Sequence, residues 1–523
     1  MIATLLLLAT TLVDDGEPDL RTVAERSGFT ATARDADVIE LGLRLAKASP
    51  LVQLAELGKS GEGRSIPLWI VADPPIRTPE QARSSGKLVA LLIGNIHAGE
   101  VDGKEGLPML VRALVTAQPR SKLLDDVILV VIPDYNVDGN ERVATTNRPG
   151  QIGPEQGMGE RTNAAGLDLN RDYMKLDAPE TRALVKCMTE WDPHLFFDAH
   201  TTNGSHHRYT MTYEGPKNLA GDARLIRLAR DRMFPELTEA FGKLRDEPSF
   251  FYGNFEQDHT QWTTFPATPR FGTTYVGLRN RMSILSEAYS YSPYKTRVLA
   301  TRDFANLSLQ WSVLHRDELR KTLDQARQTT IDAGNHPRVD DLVPIRSRAR
   351  AFPGKIHALG YVEAVRDGKN VATAQARDYE VDLVQDFEPT VSVPRPRSYL
   401  IPPGHPQVIA NLKAHGIVVK TIARPMRLEA TIDRVDKVTR SEHSYEGHHP
   451  VEVEVTTRTE MSEIAQGTSV VPTGQPLGSL VVYLLEPRSD DGLLTWNFFD
   501  DVLKPGSDFP IVRSNAIFDV LED

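Results

Sequence analysis

Short, continuous apolar runs alternate with helical patterns from about residue 20 to residue 335, and this alternation constrains the fold more than any other feature. The clearest runs are residues 87–94, 126–132, 195–198 and 282–286. Strands that are buried on both faces give continuous apolar runs, and strands that alternate with helices form α/β sheets. We therefore expect an α/β sheet with crossover helices.

Helical patterns separate and follow these runs, at residues 104–117, 179–191, 219–241 and 303–333. After residue 337 the sequence changes to β-branched alternation with frequent Pro and Gly, as in residues 451–457 and 478–485, which predicts β-rich modules. Residues 398–419 predict a small strand-helix-strand unit. The expected divisions are a leader at 1–19, the α/β domain at 20–335, a small α/β insert-like module at 345–425 and a β-rich C-terminal module at 426–523.

The charge and the cysteine content exclude several classes of function. The net charge of -11 and the pI near 5.8 give no basic surface for a polyanion, so we expect no nucleic-acid partner. Cys187 is the only cysteine, which excludes an intrachain disulfide and a thiolate-rich metal site. Any metal must therefore bind imidazole and carboxylate groups. The oligomeric state cannot be predicted from these features.

The first thirteen residues form an apolar run with the length of a signal-peptide core, too short to span a bilayer. This run predicts a secreted or periplasmic protein without a membrane span. No Lys or Arg precedes the run and no Ala-x-Ala site follows it, so a cytoplasmic location is the alternative.

The spacing His-x-x-Glu occurs four times, beginning at His97, His315, His443 and His449. Such spacing alone carries little information, so its context must decide. His97 and Glu100 directly follow a predicted buried strand, and ligands bind at the ends of such strands in open α/β sheets. His315 belongs to a charged helix, and His443 and His449 belong to a polar loop.

Two further residues come at or just past the ends of predicted strands. His200 follows the run at 195–198, and Glu287 follows the run at 282–286. Two imidazoles and one carboxylate match the ligand set of catalytic zinc, which keeps one position open for water. We therefore predict one Zn²⁺ ion bound by His97, Glu100 and His200, with Glu287 as the general base.

Together these residues resemble the zinc carboxypeptidase family, typified by the pancreatic digestive enzymes. The resemblance covers residues 20–300 and lies in motifs: Gly58–Arg64, His97 with Glu100, Asn136–Gly139 and Gly166–Asp172, with His200 and Glu287 in the expected order. It implies a mixed, largely parallel sheet flanked by helices and a catalytic domain at 20–335.

The resemblance also implies roles for single residues. Asn170 and Arg171 match the pair that binds the C-terminal carboxylate of the substrate, and Asp168 matches the carboxylate that orients the first zinc histidine. Asp198 serves the second histidine or has a structural role at its strand. Arg148 resembles the arginine that stabilises the oxyanion, with Arg161 as its rival. The substrate-binding tyrosine stays open, with Tyr275 as the nearest candidate.

These residues predict a zinc metallopeptidase that hydrolyses peptide bonds through a zinc-bound water, with a peptide or amide substrate that carries a free carboxylate. A zinc amidohydrolase, a deacylase or a cell-wall peptide hydrolase on the same scaffold is the first alternative. A non-enzymatic binding protein, with recognition by the β-rich half, is the second.

Overall fold

The computed structural model describes residues 19–256, 258–366, 369–518 and 521–522. The predicted leader lies outside these residues, apart from its last position, and stays a prediction. Among the described residues, no helix is both long and apolar enough to cross a membrane.

A mixed sheet of eight strands forms the centre of the N-terminal part, in the order β1-β2-β4-β3-β5-β10-β6-β7. β3, β4, β5 and β10 are parallel to one another, while β2 and β6 are antiparallel to their neighbours β4 and β10. The predicted fold class is therefore confirmed. The strands of this half, of which β8 and β9 lie outside the eight-stranded sheet, are β1 (Val52–Lys59), β2 (Ser65–Val71), β3 (Leu88–Gly94), β4 (Val127–Ile132), β5 (Leu195–Thr202), β6 (Met211–Glu214), β7 (Ser249–Phe251), β8 (Asn254–Phe255), β9 (Gln261–Thr263) and β10 (Met282–Tyr289).

Helices cover both faces of this sheet, which explains the continuous apolar runs. Leu88, Ala90 and Leu92 of β3 enter one hydrophobic cluster, while Val89 and Leu91 enter the other. The helices of this half are α1 (Val23–Arg26), α2 (Asp35–Ala48), α3 (Pro79–Ser85), α4 (Asp102–Thr116), α5 (Val137–Glu141), α6 (Pro179–Trp191), α7 (Ala223–Leu228), α8 (Phe234–Arg245), α9 (Gly272–Leu278), α10 (Tyr294–Leu314) and α11 (Arg316–Asn335).

Two predicted helices differ from the observed ones. The helix expected at 219–241 begins at Ala223 and contains a π-helical stretch, Ala229–Met233, between α7 and α8. The single helix expected at 303–333 is two helices, because α10 ends at Leu314 and α11 begins at Arg316.

A long antiparallel hairpin and a second mixed α/β region follow. The hairpin consists of β11 (Leu342–Arg366) and β12 (Lys369–Pro394), and it pairs with β9 of the first half. A seven-stranded sheet then has the order β16-β15-β18-β13-β17-β14-β19. Its elements are β13 (Ser398–Ile401), α12 (Pro406–Ala414), β14 (Lys420–Ile422), β15 (Met426–Arg440), β16 (Val451–Ile464), β17 (Ser469–Pro472), α13 (Gly478–Leu485), β18 (Val512–Ser514) and β19 (Leu521–Glu522).

The structure differs from two of the predictions for this region. Residues 478–485, expected as a strand, form the buried helix α13, so that prediction is wrong; a short apolar run fits either element when both are fully buried. The strands of residues 398–522 form one sheet, and β13 pairs with β17 and β18 across the expected division at residue 425. The division into modules stays a prediction.

The C-terminal region packs on the first half through the same hydrophobic cluster that covers one face of the central sheet. That cluster joins Leu91 and Trp191 to Tyr399 and Trp496. His415 adds polar contacts across the same boundary: its Nδ1 lies 2.7 Å from Tyr275 Oη and its Nε2 lies 3.2 Å from Met174 O.

We expect His415 to make this boundary sensitive to acid. Burial, with Arg279 nearby, lowers the pKa of His415 to about 3, below the roughly 6.5 of an unfolded chain. A lowered histidine pKa contributes stability at pH values above about 6.5, and that contribution is lost as the pH falls towards about 3. His415→Gln should therefore cost about 1–3 kcal/mol at pH 7, and the difference from wild type should shrink towards pH 4.

Urea unfolding at several pH values measures this difference. The exposed His336, changed to Gln, is the matched control and should follow wild type throughout. A gap between wild type and His415→Gln that stays constant from pH 7 to pH 4 would contradict the role of His415.

Candidate functional site

The loop between β3 and α4 supplies the first two candidate metal ligands. It turns at Asn95, whose φ is +65° and whose side-chain amide donates to Asp134 Oδ1 at 2.7 Å. The Glu100 amide donates to His97 O at 2.8 Å, which closes a tight turn and brings both side chains to the same side. The loop is thus held in place by buried polar contacts beneath it.

His200 and Glu287 come from neighbouring parallel strands. The two residues are paired directly across β5 and β10, so their side chains point to the same face of the sheet. Both residues lie inside strands and not past strand ends, because β5 continues to Thr202 and β10 to Tyr289. The expected positions at the ends of shorter strands are therefore wrong by a few residues, although the side chains still meet.

His97, Glu100 and His200 form one buried group, which we call the metal cluster. Their ligand atoms all lie within 4.8 Å of one another. His97 Nδ1 is 3.0 Å from Glu100 Oε1, and His200 Nδ1 is 3.0 Å from Glu100 Oε2. His97 Nδ1 is buried and has no hydrogen-bond partner among the described residues. An atom of this kind needs a partner, so the donor set fits a zinc ion.

A carboxylate lies close to the Nε2 atom of each histidine in the metal cluster. His97 Nε2 lies 2.9 Å from Asp168 Oδ1. His200 Nε2 lies 3.0 Å from Asp198 Oδ2, at ion-pair distance but outside hydrogen-bond geometry. Contacts of this kind fix the ring orientation and turn each Nδ1 towards the centre of the metal cluster.

The charges of the site explain its pKa shifts. Burial alone would raise the pKa of Glu100, but His97 and Arg148 lower it well below its ordinary value. Burial raises the pKa of Glu287 to about 8; the Glu100 carboxylate adds to this rise, while His200 opposes it. A divalent cation in the metal cluster would lower the pKa of Glu287 towards the range of a base at neutral pH.

The predicted carboxylate clamp lies in a 3₁₀ turn, Leu169–Arg171, which we call the clamp turn. Asp168 precedes the turn, and its Oδ1 accepts from the Asn170 amide at 2.8 Å. Asn170 Oδ1 accepts from the Gly272 amide at 2.8 Å, and the Arg171 guanidinium lies 4.4 Å from the centre of the Phe271 ring. The turn is thereby tied to the segment before α9.

The two candidate arginines lie in different environments. Arg148 is 11% exposed; its Nη1 donates to Glu100 Oε1 at 2.8 Å, its Nη2 to Thr201 O at 2.6 Å and its Nε to Gln151 Oε1 at 2.7 Å. Arg161 is 41% exposed, donates to Asp168 Oδ2 at 2.7 Å and lines the central cavity. Both guanidinium groups thus approach Glu100, since Arg161 Nη1 also lies 3.4 Å from Glu100 Oε1, but of the two only Arg161 lines the cavity.

A cavity of about 410 Å³ opens over these groups. It brings together most of the predicted site: the metal cluster, Glu287, Arg161 and the clamp turn. Its other walls contain residues that the sequence analysis did not select, because no motif marks them. These are Thr201, Thr202, Asn203, Tyr252, Phe265, Phe271, Thr273 and Leu285.

Tyr252 and Tyr275 show which tyrosine reaches the site. Tyr275 is fully buried between His415 and Arg279, away from the cavity, so its candidacy for the substrate-binding role is wrong. Tyr252 lines the cavity, and burial, with Glu287 nearby, raises its pKa to about 12. Tyr252 directly follows β7, so the same strand-end rule that selected His97 would have found it.

Comparisons with known proteins find similarities to carboxypeptidases. Residues 43–243 match the family described as zinc carboxypeptidase. Carboxypeptidase 2 of Trichophyton rubrum is 24% identical over 511 residues, which cover 93% of this chain and 87% of that protein. Carboxypeptidase D of Mus musculus is 32% identical over 168 residues, or 27% of this chain and 12% of that protein. Carboxypeptidase A from Helicoverpa armigera superposes with a TM-score of 0.40 and 17% identity, over 57% of this chain and 74% of that one.

Proposed function

The chain belongs to the zinc carboxypeptidase family and is a metallopeptidase, and from this premise we propose that it removes the C-terminal residue of peptides with a free carboxylate. One observation carries the proposal: a single cavity holds the metal cluster, Glu287 and the guanidinium of Arg171. A peptide whose terminal carboxylate meets Arg171 can thus present its last peptide bond to the metal cluster. Membership of this family also argues against the non-enzymatic alternative.

The reaction we propose needs one zinc ion, held by His97, Glu100 and His200. When bound, zinc polarises the scissile carbonyl and acidifies a water molecule. Glu287 takes a proton from the attacking water at Oε2, a buried atom without a hydrogen-bond partner among the described residues, and returns it to the leaving amine. Asp168 and Asp198 keep the two histidine rings oriented throughout.

In this proposal the two arginines have separate roles, whereas the sequence analysis assigned the stabilisation of the oxyanion to Arg148, with Arg161 as its rival. Arg161 lines the cavity and is partly exposed, so its guanidinium can approach an oxyanion that forms there. Arg148 is largely buried and does not line the cavity, and its contact with Glu100 Oε1, at 2.8 Å, is shorter than the 3.4 Å contact of Arg161. We therefore propose Arg161 as the oxyanion donor and Arg148 as the residue that orients Glu100.

The substrate clamp in this proposal consists of Asn170 and Arg171. The face of the Phe271 ring supports the Arg171 guanidinium, which limits its rotation and prepares it for a planar carboxylate. Tyr252 lies on the cavity wall, where burial and the nearby Glu287 carboxylate raise its pKa. From there its hydroxyl can donate a hydrogen bond to the substrate.

We further propose that the residue removed is neutral, with an apolar or aromatic side chain. The cavity walls beyond the catalytic groups include Phe265, Phe271, Thr273 and Leu285, none of which is charged. The carboxylates that line the cavity are those of Glu100 and Glu287, which already have roles. A basic side chain would therefore enter without a partner, and a buried unpaired charge costs several kcal/mol.

A peptide panel tests both parts of this function. We expect the zinc-loaded protein to release C-terminal Phe or Leu, and to show a kcat/KM about a hundredfold lower for Lys or Arg at the same position. C-terminally amidated versions of the same peptides should be hydrolysed at least about a hundredfold more slowly, because Arg171 then has no carboxylate to bind. Mass spectrometry of the products reports both rates.

Chelator-treated protein is the control and should release nothing until zinc is restored. Equal rates on amidated and free peptides would contradict exopeptidase action. Hydrolysis of N-acyl amino acids without any hydrolysis of peptides would instead support the amidohydrolase alternative.

A further inference from the structure

A tight turn between β15 and β16 reaches from the C-terminal sheet to the candidate active site. We call residues 445–448 the tip turn. The Tyr445 amide donates to His448 O at 2.7 Å, and the His448 amide donates to Tyr445 O at 3.0 Å. The two residues between them have positive φ values, +52° at Glu446 and +79° at Gly447. This is the backbone of a two-residue hairpin turn whose first position usually holds Asn, Asp or Gly.

Glutamate at a positive φ is costly, of the order of 1 kcal/mol, unless contacts outside the turn hold it there. Glu446 has such a contact, because its Oε2 accepts a hydrogen bond from the Asp168 amide at 2.8 Å. Asp168 is the residue whose carboxylate faces His97 and Arg161 and whose Oδ1 begins the clamp turn. The strained glutamate therefore holds the backbone of the residue that links the metal cluster to the clamp turn.

Two further residues of the N-terminal half, Asp177 and Arg270, contact the C-terminal region close to the clamp turn. His448 Nε2 lies 2.7 Å from Asp177 Oδ2, beyond the far end of the clamp turn. The Arg270 guanidinium lies 4.9 Å from the Trp496 ring centre and 5.5 Å from the Tyr445 ring centre. Arg270 directly precedes Phe271, which supports the Arg171 guanidinium. The C-terminal region thus contacts the N-terminal half before, after and beside the clamp turn.

We propose that the C-terminal region completes the peptidase site, with Glu446 as the positioning residue that fixes Asp168 and through it the clamp turn. The inference rests on the proposed function, because the clamp turn is assigned there to the substrate carboxylate. Glu446 does not line the cavity and does not touch the reacting atoms. It keeps Asn170 and Arg171 in the positions from which they can bind the terminal carboxylate of the substrate.

The test compares Glu446→Ala with Glu446→Gln in the full-length, zinc-loaded protein. The Ala variant leaves the part-buried Asp168 amide without its acceptor, so we expect KM for a free-carboxylate peptide to rise about tenfold while kcat changes less than about threefold. The Gln variant keeps an oxygen that can accept from the same amide, and its KM should stay within about threefold of wild type. The exposed Glu442, four residues earlier in the same loop, is the matched control when changed to Ala.

Thermal melting and zinc affinity are measured beside the kinetics. A lower melting temperature in Glu446→Ala with an unchanged KM would overturn the proposal, since it would show a purely structural role. An equal rise of KM in the Gln and Ala variants would overturn the hydrogen bond as the cause.

A wild-type protein that hydrolyses no peptide would defeat the proposed function but not this inference. Calorimetry with the dipeptide Gly-Phe then takes the place of the kinetics. Weaker binding of Gly-Phe to Glu446→Ala alone supports the positioning role, and equal binding to all four proteins overturns it.

Discussion

Replacing Glu287 with Gln should lower kcat by about a thousandfold or more and leave zinc bound. General base catalysis typically contributes between about a hundredfold and ten thousandfold, and an amide cannot accept the proton. The substitution preserves the size of the side chain, and Glu287 does not belong to the metal cluster. Zinc affinity should therefore stay within about threefold of wild type, because no metal ligand is lost.

Steady-state kinetics and metal analysis of the same preparation test this expectation together. Glu214→Gln is a useful control, because Glu214 is also buried but pairs with Lys217 outside the cavity. Near-normal turnover by Glu287→Gln would remove Glu287 from the role of base. Loss of zinc together with activity would show instead that Glu287 helps to bind the metal.

The sequence analysis could select the residues of the metal cluster because each of them lies next to an apolar run that is recognised from a few neighbouring residues. Buried strands give apolar runs that stand out, and the residues that follow such runs reach the same edge of a parallel sheet. His97, Glu100, His200 and Glu287 could all be found in this way, although the strands carrying the last two are longer than their apolar runs. Polar residues inside these strands face the cavity, so hydropathy alone ends the strand too early.

The residues that the sequence analysis missed depend on contacts between distant segments. Phe265 and Leu285 line the cavity through the path of the chain, and no spacing rule encodes that path. Glu446 is the clearest case: it belongs to a His-x-x-Glu pair set aside as unimportant, yet its side chain reaches Asp168 across 278 positions of sequence. The helix at 478–485 was mistaken for a strand because full burial removes the periodicity that separates the two.

The contrast between Arg148 and Arg161 leads to the second large expected effect. Removing the Arg161 side chain, as in Arg161→Ala, should reduce kcat about a hundredfold to a thousandfold, as the loss of an oxyanion donor does elsewhere. Asp168 keeps its contacts with His97 and the Asn170 amide in that variant. Zinc affinity should fall less than in Arg148→Ala, because the contact of Arg161 with Glu100 Oε1, at 3.4 Å, is longer than the 2.8 Å contact of Arg148.

Arg148→Ala should show the opposite pattern. Arg148 donates to Glu100 Oε1 and to Thr201 O. It packs against Gly99, where an added Cβ would lie only 2.6 Å from Arg148 Cδ. Loss of a group that orients a metal ligand typically weakens metal affinity about tenfold to a hundredfold. At saturating zinc, however, the kcat of Arg148→Ala should return to within about threefold of wild type, since the oxyanion donor is intact.

Zinc titrations with a competing chelator, followed by kinetics at saturating zinc, separate the two arginines. A low kcat of Arg148→Ala at saturating zinc, with unchanged zinc affinity, would return the oxyanion role to Arg148. The reverse result would mean that this chain uses one guanidinium to hold a metal ligand and another to receive the charge of the reaction. Only Arg161 would then act on the substrate, because of the two only its guanidinium lines the cavity.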